Sequence, residues 1–180
     1  MKFQELYKII CEGSAPRSFS CLMLDCQDLY PEIAKIHEQI DPEDVYDDDE
    51  PGHSLEKDSH VTCAYGFSET KPQDVIPKLD LVPCRYKVKG LSLFENEKFD
   101  VLKFDIQSTE LNKLNKQIMD NFDITTSYKD YHAHCTIFYA RKGMGKKYLN
   151  IKSSLIGKTF VSNRFIFSNP NSEKIYIDVF

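Results

Sequence analysis

Apolar residues recur along this chain at two spacings, which predict a succession of short strands and helices. Short apolar runs and apolar–polar alternation predict strands at residues 18–24, 60–67, 86–94, 99–106, 132–139, 159–167 and 174–180. Apolar positions three or four residues apart predict helices at residues 31–40, 72–79, 108–122 and 146–156. Ser108 is a suitable N-cap for the third helix, and Gly157 is a natural stop for the fourth.

The order of these elements indicates the fold class. Strands and helices are mixed, and the second half contains hairpins, such as residues 86–94 and 99–106 around a polar turn. This order predicts an α+β protein with largely antiparallel sheets rather than a doubly wound parallel sheet. A length of 180 residues suits one domain, and we expect residues 1–180 to form it.

Two of the predicted strands carry the same pattern of residues. The sequence HVTCAYG begins at His60 and HCTIFYA begins at His134, so that His, Thr and Tyr match at the same offsets. Because side chains alternate along a strand, each His and its following Thr are expected on one face. The residues expected to face a core are Val61, Cys63 and Tyr65 in the first copy and Cys135, Ile137 and Tyr139 in the second.

This repeat contains the groups that phosphodiester cleavage requires. One group removes a proton from the attacking oxygen while another protonates the leaving oxygen, and histidine can do either near neutral pH. The phosphate oxygens gain charge, and two threonine hydroxyls can donate hydrogen bonds to them. We therefore predict that His60 and His134 are catalytic, with Thr62 and Thr136 as substrate-binding residues. A half-buried polar face without catalytic function is the alternative for any single His-x-Thr strand.

Paired His-x-Thr strands resemble the signature of the two-histidine (2H) phosphoesterase superfamily. Its members include RNA 2′,3′-cyclic phosphodiesterases, bacterial 2′-5′ RNA ligase proteins and viral 2′,5′-phosphodiesterases, and the resemblance is greatest to small bacteriophage members. It covers most of residues 18–180 and leaves residues 1–17 as an N-terminal extension. The matching stretches are residues 22–25, 55–66, 90–106, 131–139 and 142–147. Phage members often have proline where this chain has Ala133.

The resemblance implies a bilobal fold, in which two pseudo-symmetric antiparallel-sheet lobes with outer helices flank a central cleft. It also implies catalysis by the His60–His134 pair without a metal or other cofactor, with both motif threonines binding the phosphate. The implied substrate is a small nucleotide or oligonucleotide with a 2′,3′-cyclic phosphate, a 2′,5′ linkage or a cyclic signalling structure. Destruction of a host immune signal, a viral counter-defence role, follows from the phage resemblance.

Residues around the second motif are further candidates for substrate contacts. His132 is expected to share the cleft face with His134. Tyr131, Tyr128 and Phe94 can each stack on a base or bond a phosphate. We assign substrate binding to Tyr131 and His132, with a structural aromatic and a surface histidine as the alternatives. A basic loop that can steer anions follows the motif: Arg141, Lys142, Lys146 and Lys147.

Charge and composition narrow the class of partner. The formal net charge is −5, but residues 41–58 contribute −8, so that the rest of the chain sums to +3. An acidic protein is poorly suited to long nucleic acid, whereas a modestly basic body suits a small anionic ligand. No apolar run is long enough to span a bilayer, and residues 1–10 lack a signal-peptide pattern. We expect a cytoplasmic monomer with reduced cysteines.

Two other functions fit the same residues. A binding module could sequester a nucleotide without cleaving it, although the two intact His-Thr pairs favour an enzyme. His60, His132 and His134 could instead form a zinc site. Zinc would leave both threonines without a role, and no carboxylate adjoins either motif in the sequence as a supporting group.

Overall fold

Eight antiparallel strands form one continuous sheet in the part of the chain that the computed structural model describes, residues 19–46, 54–124 and 130–180. The strands are β1 (Ser20–Asp25), β2 (His60–Phe67), β3 (Cys84–Glu95), β4 (Phe99–Gln107), β5 (His134–Arg141), β6 (Thr159–Ser162), β7 (Arg164–Ser168) and β8 (Lys174–Asp178). Their order across the sheet is β6-β3-β4-β5-β2-β1-β7-β8. The two strands that carry the His-x-Thr motifs, β2 and β5, therefore lie side by side at its centre.

The helices of these ranges are α1 (Tyr30–His37), the short α2 (Pro72–Val75) and α3 (Thr109–Asn121). The Ser108 Oγ accepts a hydrogen bond from the Leu111 amide at 3.2 Å, which is the predicted N-cap of α3. Both α1 and α3 bury their apolar stripes against one face of the sheet, in the main core cluster. We call the opposite face, which carries His60 and His134, the open face. No helix in the described ranges is long and apolar enough to cross a bilayer.

The α+β class and the antiparallel pairing are confirmed, but one predicted strand is divided. Residues 159–167 form β6 and β7, which are separated only by Asn163 and pair with β3 and β1. These partners lie in opposite halves of the strand order, although consecutive Cα atoms are only about 3.8 Å apart. The sheet must therefore curl, so that its two halves approach each other near Asn163. The Asn163 carbonyl accepts the Val179 amide at 2.8 Å there.

The helix predicted at residues 146–156 is wrong. Only a 3-10 turn forms there, at Gly145–Tyr148. The Glu32 carboxylate on α1 accepts the Ser154 amide at 2.7 Å and the Ser153 hydroxyl at 3.2 Å. These bonds hold the segment in an irregular conformation, because serine and backbone groups satisfied by a distant carboxylate no longer need a helical ladder.

The two halves of the sheet are alike in outline. Three strands lie outside β5 on one side and three lie outside β2 on the other. They belong to one continuous sheet, joined where Val61 pairs with Cys135. The division into two lobes stays a prediction, as does the single-domain boundary at 1–180. The predicted extension at residues 1–17 lies outside the described residues.

The loop after β5 is held by a buried carboxylate on β4. Asp100 is fully buried and accepts hydrogen bonds from the Gly143 amide at 2.8 Å and the Gly145 amide at 3.2 Å. The ammonium of Lys142 lies 3.1 Å from the same carboxylate. Buried charge of this kind is stable only with several partners, so that the loop and β4 form one unit.

Gly145→Ala should lower the free energy of unfolding by about 1–3 kcal/mol, because the added methyl would crowd the contact between this loop and Asp100 of β4. A Cβ at Gly145 would lie 2.8 Å from Leu93 Cδ2 and 2.9 Å from Asp100 Cβ. Gly90→Ala is the matched control, since a Cβ there meets nothing within 4 Å. Urea denaturation of both variants measures the difference. Equal stability of the two variants would contradict close packing of the loop against Asp100.

Candidate active site

The two motif strands bring His60, Thr62, His134 and Thr136 together at the centre of the open face. The strands are antiparallel, and Val61 pairs with Cys135. This register places His60 beside Thr136 and Thr62 beside His134. Each histidine therefore has the other strand's threonine as its neighbour, in a diagonal arrangement with approximate two-fold symmetry. All four side chains are half-buried, so that a ligand can reach them.

Both histidine rings are oriented by the same kind of bond. The His60 Nδ1 lies 2.6 Å from the Asp58 carbonyl oxygen, and the His134 Nδ1 lies 2.8 Å from that of His132. A carbonyl oxygen can only accept, so each Nδ1 carries a proton and donates it. In the neutral ring this leaves Nε2 as the proton acceptor. Each imidazole is thus fixed in one tautomer, with Nε2 available for acid–base chemistry.

The surroundings of the His134 ring favour its neutral form. Burial is the largest cause that lowers the pKa of His134 below 6.5, and the bond to the His132 carbonyl opposes it. The positive charge of Lys103 lowers the pKa further, as does His60, whereas the Asp105 carboxylate raises it. A neutral imidazole is favoured at His134, because a charged ring there would lose water and face a nearby cation.

A β-bulge follows each motif. Thr62 pairs with Met23 but Ala64 pairs with Leu22, which leaves Cys63 as the extra residue in β2. The same shift in β5, where Thr136 and Phe138 pair with successive residues of β4, leaves Ile137 as the extra residue. A bulge reverses the alternation of faces beyond it.

The bulges correct the faces predicted for two tyrosines. Tyr65 and Tyr139 were expected to point to the core with Val61 and Cys135. Tyr65 instead packs on the open face, in a small cluster with Cys21, Met23 and Ile166. Tyr139 pairs with Val101 and contacts Phe99 edge-on, with ring centroids 5.4 Å apart. On the open face, an apolar patch therefore lies on each side of the two histidines.

Side chains from the two long helices hold the bulges in place. The Asn115 amide of α3 donates to the Cys63 carbonyl at 2.8 Å. The His37 Nε2 of α1 lies 2.8 Å from the Ile137 carbonyl. A bulge leaves its extra carbonyl outside the strand ladder, and a buried carbonyl needs a donor. In β5 the Ile137 carbonyl also accepts the Glu56 amide at 3.0 Å, so the two bulges have different sets of donors.

A carboxylate lies beside each catalytic candidate on the neighbouring strand. Asp25 of β1 pairs with His60, and Asp105 of β4 pairs with His134. Burial raises the pKa of Asp25, which is almost fully enclosed. Each motif therefore does have a carboxylate beside it in the folded chain, contrary to what the sequence around the motifs indicated. These carboxylates come from other strands. Residues 22–25 and 102–105 share the pattern Leu-x-apolar-Asp, a second repeat that could have revealed them.

The zinc alternative was based on three histidines. Within the described ranges, no group of three or more His, Cys, Asp or Glu side chains is arranged to hold a metal ion. His132 is exposed, and it is its backbone carbonyl rather than its ring that contacts His134. Its predicted contact with substrate stays a prediction.

Tyr131 supports the site from the core side. Its hydroxyl donates to the Thr62 carbonyl at 2.9 Å, and its ring packs against the main core cluster. This contact ties the segment before β5 to β2. Direct binding of substrate by Tyr131 stays a prediction. Tyr128, another candidate, lies outside the described residues, whereas Phe94 lies on β3 and pairs with Val101 of β4.

The basic loop is engaged with carboxylates. Lys146 lies 3.2 Å from Glu95, and Lys142 contacts both Glu95 and Asp100. Lys147 forms an ion pair with Asp44. These lysines connect the loop to the rest of the protein, and their proposed attraction for anions stays a prediction.

Comparison with solved structures places this architecture among known proteins. The chain resembles Usb1 from Kluyveromyces marxianus, with a TM-score of 0.52 and 8% identity over 90% of this chain and 98% of that one. It resembles LigT from E. coli complexed with 3′-AMP, with a TM-score of 0.59 and 11% identity over 91% and 95%. The chain shares the fold of these two proteins. The resemblance is thus confirmed for the fold, and similarity to phage members stays a prediction.

A third similar structure is Kluyveromyces marxianus Usb1 with uridine monophosphate, at a TM-score of 0.52 and 9% identity over 90% of this chain and 99% of that one. No protein-family model matches the sequence, and no curated protein matches it significantly. The similarity is therefore one of fold, at sequence identities far below those at which activity can be transferred.

Proposed function

We propose that this protein is a metal-independent phosphodiesterase that cleaves a nucleotide phosphodiester by general acid–base catalysis with His60 and His134. The observation that carries the proposal is the matched orientation of the two rings. Each donates Nδ1–H to a backbone carbonyl and keeps Nε2 for the reaction. The two rings come from adjacent central strands and share the open face, as a reaction with one acid and one base requires.

The steps need only groups that this chain supplies. One Nε2 takes a proton from the attacking hydroxyl or water, whose oxygen forms a new bond to phosphorus. The other Nε2–H gives a proton to the leaving oxygen as its bond to phosphorus breaks. The Thr62 and Thr136 hydroxyls donate to the non-bridging oxygens, which gain charge in the transition state. The diagonal arrangement allows one phosphate to lie among all four side chains.

The surroundings of the rings favour one assignment of roles. A general base must be neutral at the working pH, and a general acid must be protonated. The lowered pKa of His134 favours this residue as the base, which assigns the role of acid to His60. The assignment is part of the proposal and depends on the direction in which the substrate binds.

This assignment predicts the acidic side of the pH profile. Because the pKa of His134 lies below 6.5, its neutral form persists as the pH falls through 6.5. We expect log kcat/KM to decrease only below that pH, with an apparent pKa that belongs to the coupled histidine pair. Thermal unfolding at each pH separates loss of activity from loss of structure. An acidic limb centred clearly above 6.5 would contradict His134 as the base.

The substrate class is supported by the similar structures. One similar protein binds uridine monophosphate and another binds 3′-AMP. We propose a small nucleotide or oligonucleotide substrate with a 2′,3′-cyclic phosphate, a 2′,5′ linkage or a cyclic signalling structure, bound by a monomer in the cytoplasm. The biological role that we propose, from the resemblance to phage proteins, is viral counter-defence in the host cytoplasm.

A substrate panel tests the proposal. The panel contains 2′,3′-cyclic mononucleotides, 2′,5′-linked dinucleotides, 3′,3′- and 2′,3′-cyclic dinucleotides and cyclic trinucleotides, incubated without added metal and analysed by mass spectrometry. Cleavage of at least one class, unchanged by EDTA, is the expected result. Loss of activity in EDTA that zinc restores would favour the zinc enzyme. Tight binding with the ligand recovered intact would favour the sequestering module.

A further inference from the structure

Among the residues that pair directly with the motif histidines and threonines, the two halves of the candidate site differ at one position. On the β1 side, Asp25 pairs with His60 and Met23 pairs with Thr62. On the β4 side, Asp105 pairs with His134 and a lysine, Lys103, pairs with Thr136. Lys103 is thus the counterpart of Met23. The symmetry of the site is broken by a positive charge beside one threonine.

Lys103 is held in a defined position on the open face. Its Nζ lies 2.5 Å from Asp105 Oδ1 and 2.8 Å from Ser92 Oγ, and the Ser92 hydroxyl donates to Asp105 Oδ1 at 2.8 Å. Its side chain is 15% exposed, whereas that of Asp105 is 44% exposed. Two of its three N–H donors thus have partners among the described residues, and a lysine fixed in this way loses little freedom when it binds an anion.

Lys103 is also close enough to influence the proposed catalytic groups. Directly paired residues of neighbouring antiparallel strands have Cβ atoms about 4.5–5.5 Å apart, which is the relation between Lys103 and Thr136. Its charge lowers the pKa of His134 on the same strand as Thr136. A phosphate bound by the Thr136 hydroxyl would therefore lie within reach of the lysine side chain.

We propose that Lys103, positioned by Asp105 and Ser92, binds a non-bridging oxygen of the substrate phosphate beside Thr136. The inference rests on the proposed function and adds to it a charged phosphate ligand, carried by β4 outside both motifs. It also makes the surroundings of the two threonines unequal, since the residue that pairs with Thr62 is the uncharged Met23. The substrate phosphate is bound more strongly at the β4 side.

A purely structural role for the ion pair makes a different prediction. If Lys103 only neutralises Asp105, then its removal harms the site by leaving a carboxylate unpaired beside His134. Removing both charges would then restore function. If Lys103 binds phosphate, the double variant stays defective because the phosphate ligand is still missing.

The test measures binding of 3′-AMP and of adenosine by calorimetry, together with kcat and KM for any cleaved member of the substrate panel. The variants are Lys103→Met, which copies the residue at the symmetric position, Lys103→Arg, and Lys103→Met combined with Asp105→Asn. Lys103→Met should weaken 3′-AMP binding about 10- to 100-fold, the size expected for one charge-assisted bond. Adenosine binding should be unchanged, and Lys103→Arg should retain most of the 3′-AMP affinity. Lys103→Gln replaces Lys103→Met if the latter does not fold.

The outcomes separate this inference from the proposed function. Wild-type affinity in Lys103→Met, or restored affinity in the double variant, overturns the phosphate contact. Wild-type binding of 3′-AMP without any cleavage overturns catalysis but still allows the contact to be measured. If the protein cleaves a substrate but shows no measurable 3′-AMP binding, KM for that substrate is the readout. KM should then rise in Lys103→Met by a larger factor than kcat falls. A protein that neither binds nor cleaves overturns both proposals.

Discussion

Replacing either His60 or His134 with alanine should lower kcat by about 10²- to 10⁴-fold, the range of a general acid or base. Each ring is fixed by a bond from its Nδ1 to a carbonyl of its own segment, at 2.6 and 2.8 Å. Neither ring is required by the core, so the fold should survive. KM should change far less than kcat, because proton transfer matters in the transition state rather than in binding.

The double variant sharpens this prediction. When two groups act as a unit, removal of the second costs little once the first is gone. We therefore expect His60→Ala combined with His134→Ala to be almost as active as the worse single variant. Two independent sites would instead give multiplied losses. Lys113→Ala, on the exposed side of α3, is the control for expression and purification and should have wild-type activity. Thermal unfolding verifies the fold of every variant. Wild-type turnover of every substrate by either single variant would contradict the catalytic role of the replaced histidine.

The catalytic candidates could be predicted from the sequence because their pattern is local. His and Thr two positions apart share a strand face whatever the rest of the fold is, so that each His–Thr pair needed only its own strand. The apolar residues between them, Val61 and Cys135, are buried as expected. That the two copies meet was an inference from the repeat, and the Val61–Cys135 pair brings them together.

The partners of the histidines could not be found in this way. Asp25, Lys103 and Asp105 come from strands paired with β2 and β5, and strand register is a tertiary property. The bulges left no trace in the pattern either. Cys63 and Ala64 are both apolar, as are Ile137 and Phe138, so an extra residue in either strand looks like a continued apolar run.

The failed helix at residues 146–156 has a similar cause. Its apolar spacing resembled a helical stripe, but the contacts that decide its conformation come from Glu32, more than a hundred residues earlier. The helix over residues 108–122 was predicted well because its cap and its buried stripe are both local. Sequence patterns were sufficient where structure depends on neighbours in the chain.

The approximate symmetry of the site has a consequence for catalysis. A symmetric site could bind a phosphodiester in two directions, with the histidines exchanging roles. In the proposed mechanism, Lys103 and the lowered pKa of His134, which both lie on the β5 side, favour one of these two directions. The threonines, by contrast, are equivalent in their placement, each beside the other strand's histidine. Their equivalence makes them a direct test of whether one phosphate uses both motifs.

Thr62→Val and Thr136→Val should each lower kcat by about 10²- to 10³-fold, the usual cost of losing one donor to a transition-state oxyanion. Valine keeps the shape and β-branching of threonine and removes only the hydroxyl, so that the strands should be undisturbed. Thr→Ser at either position should keep most of the activity, because the donor remains. A larger change in kcat than in KM identifies a contact that strengthens in the transition state.

Thr159→Val is the matched control, since Thr159 is an exposed strand threonine on β6, far from the motif strands in the sheet order. It should leave kcat and KM at the wild-type values. Similar losses in Thr62→Val and Thr136→Val would mean that one phosphate contacts both strands. A loss confined to Thr136→Val would place the phosphate on the β5 side alone, next to Lys103, and would reduce Thr62 to a neighbour of His134. Unchanged kcat in both variants would contradict the proposed phosphate site, because that site assigns the contacts with the phosphate oxygens to these two hydroxyls.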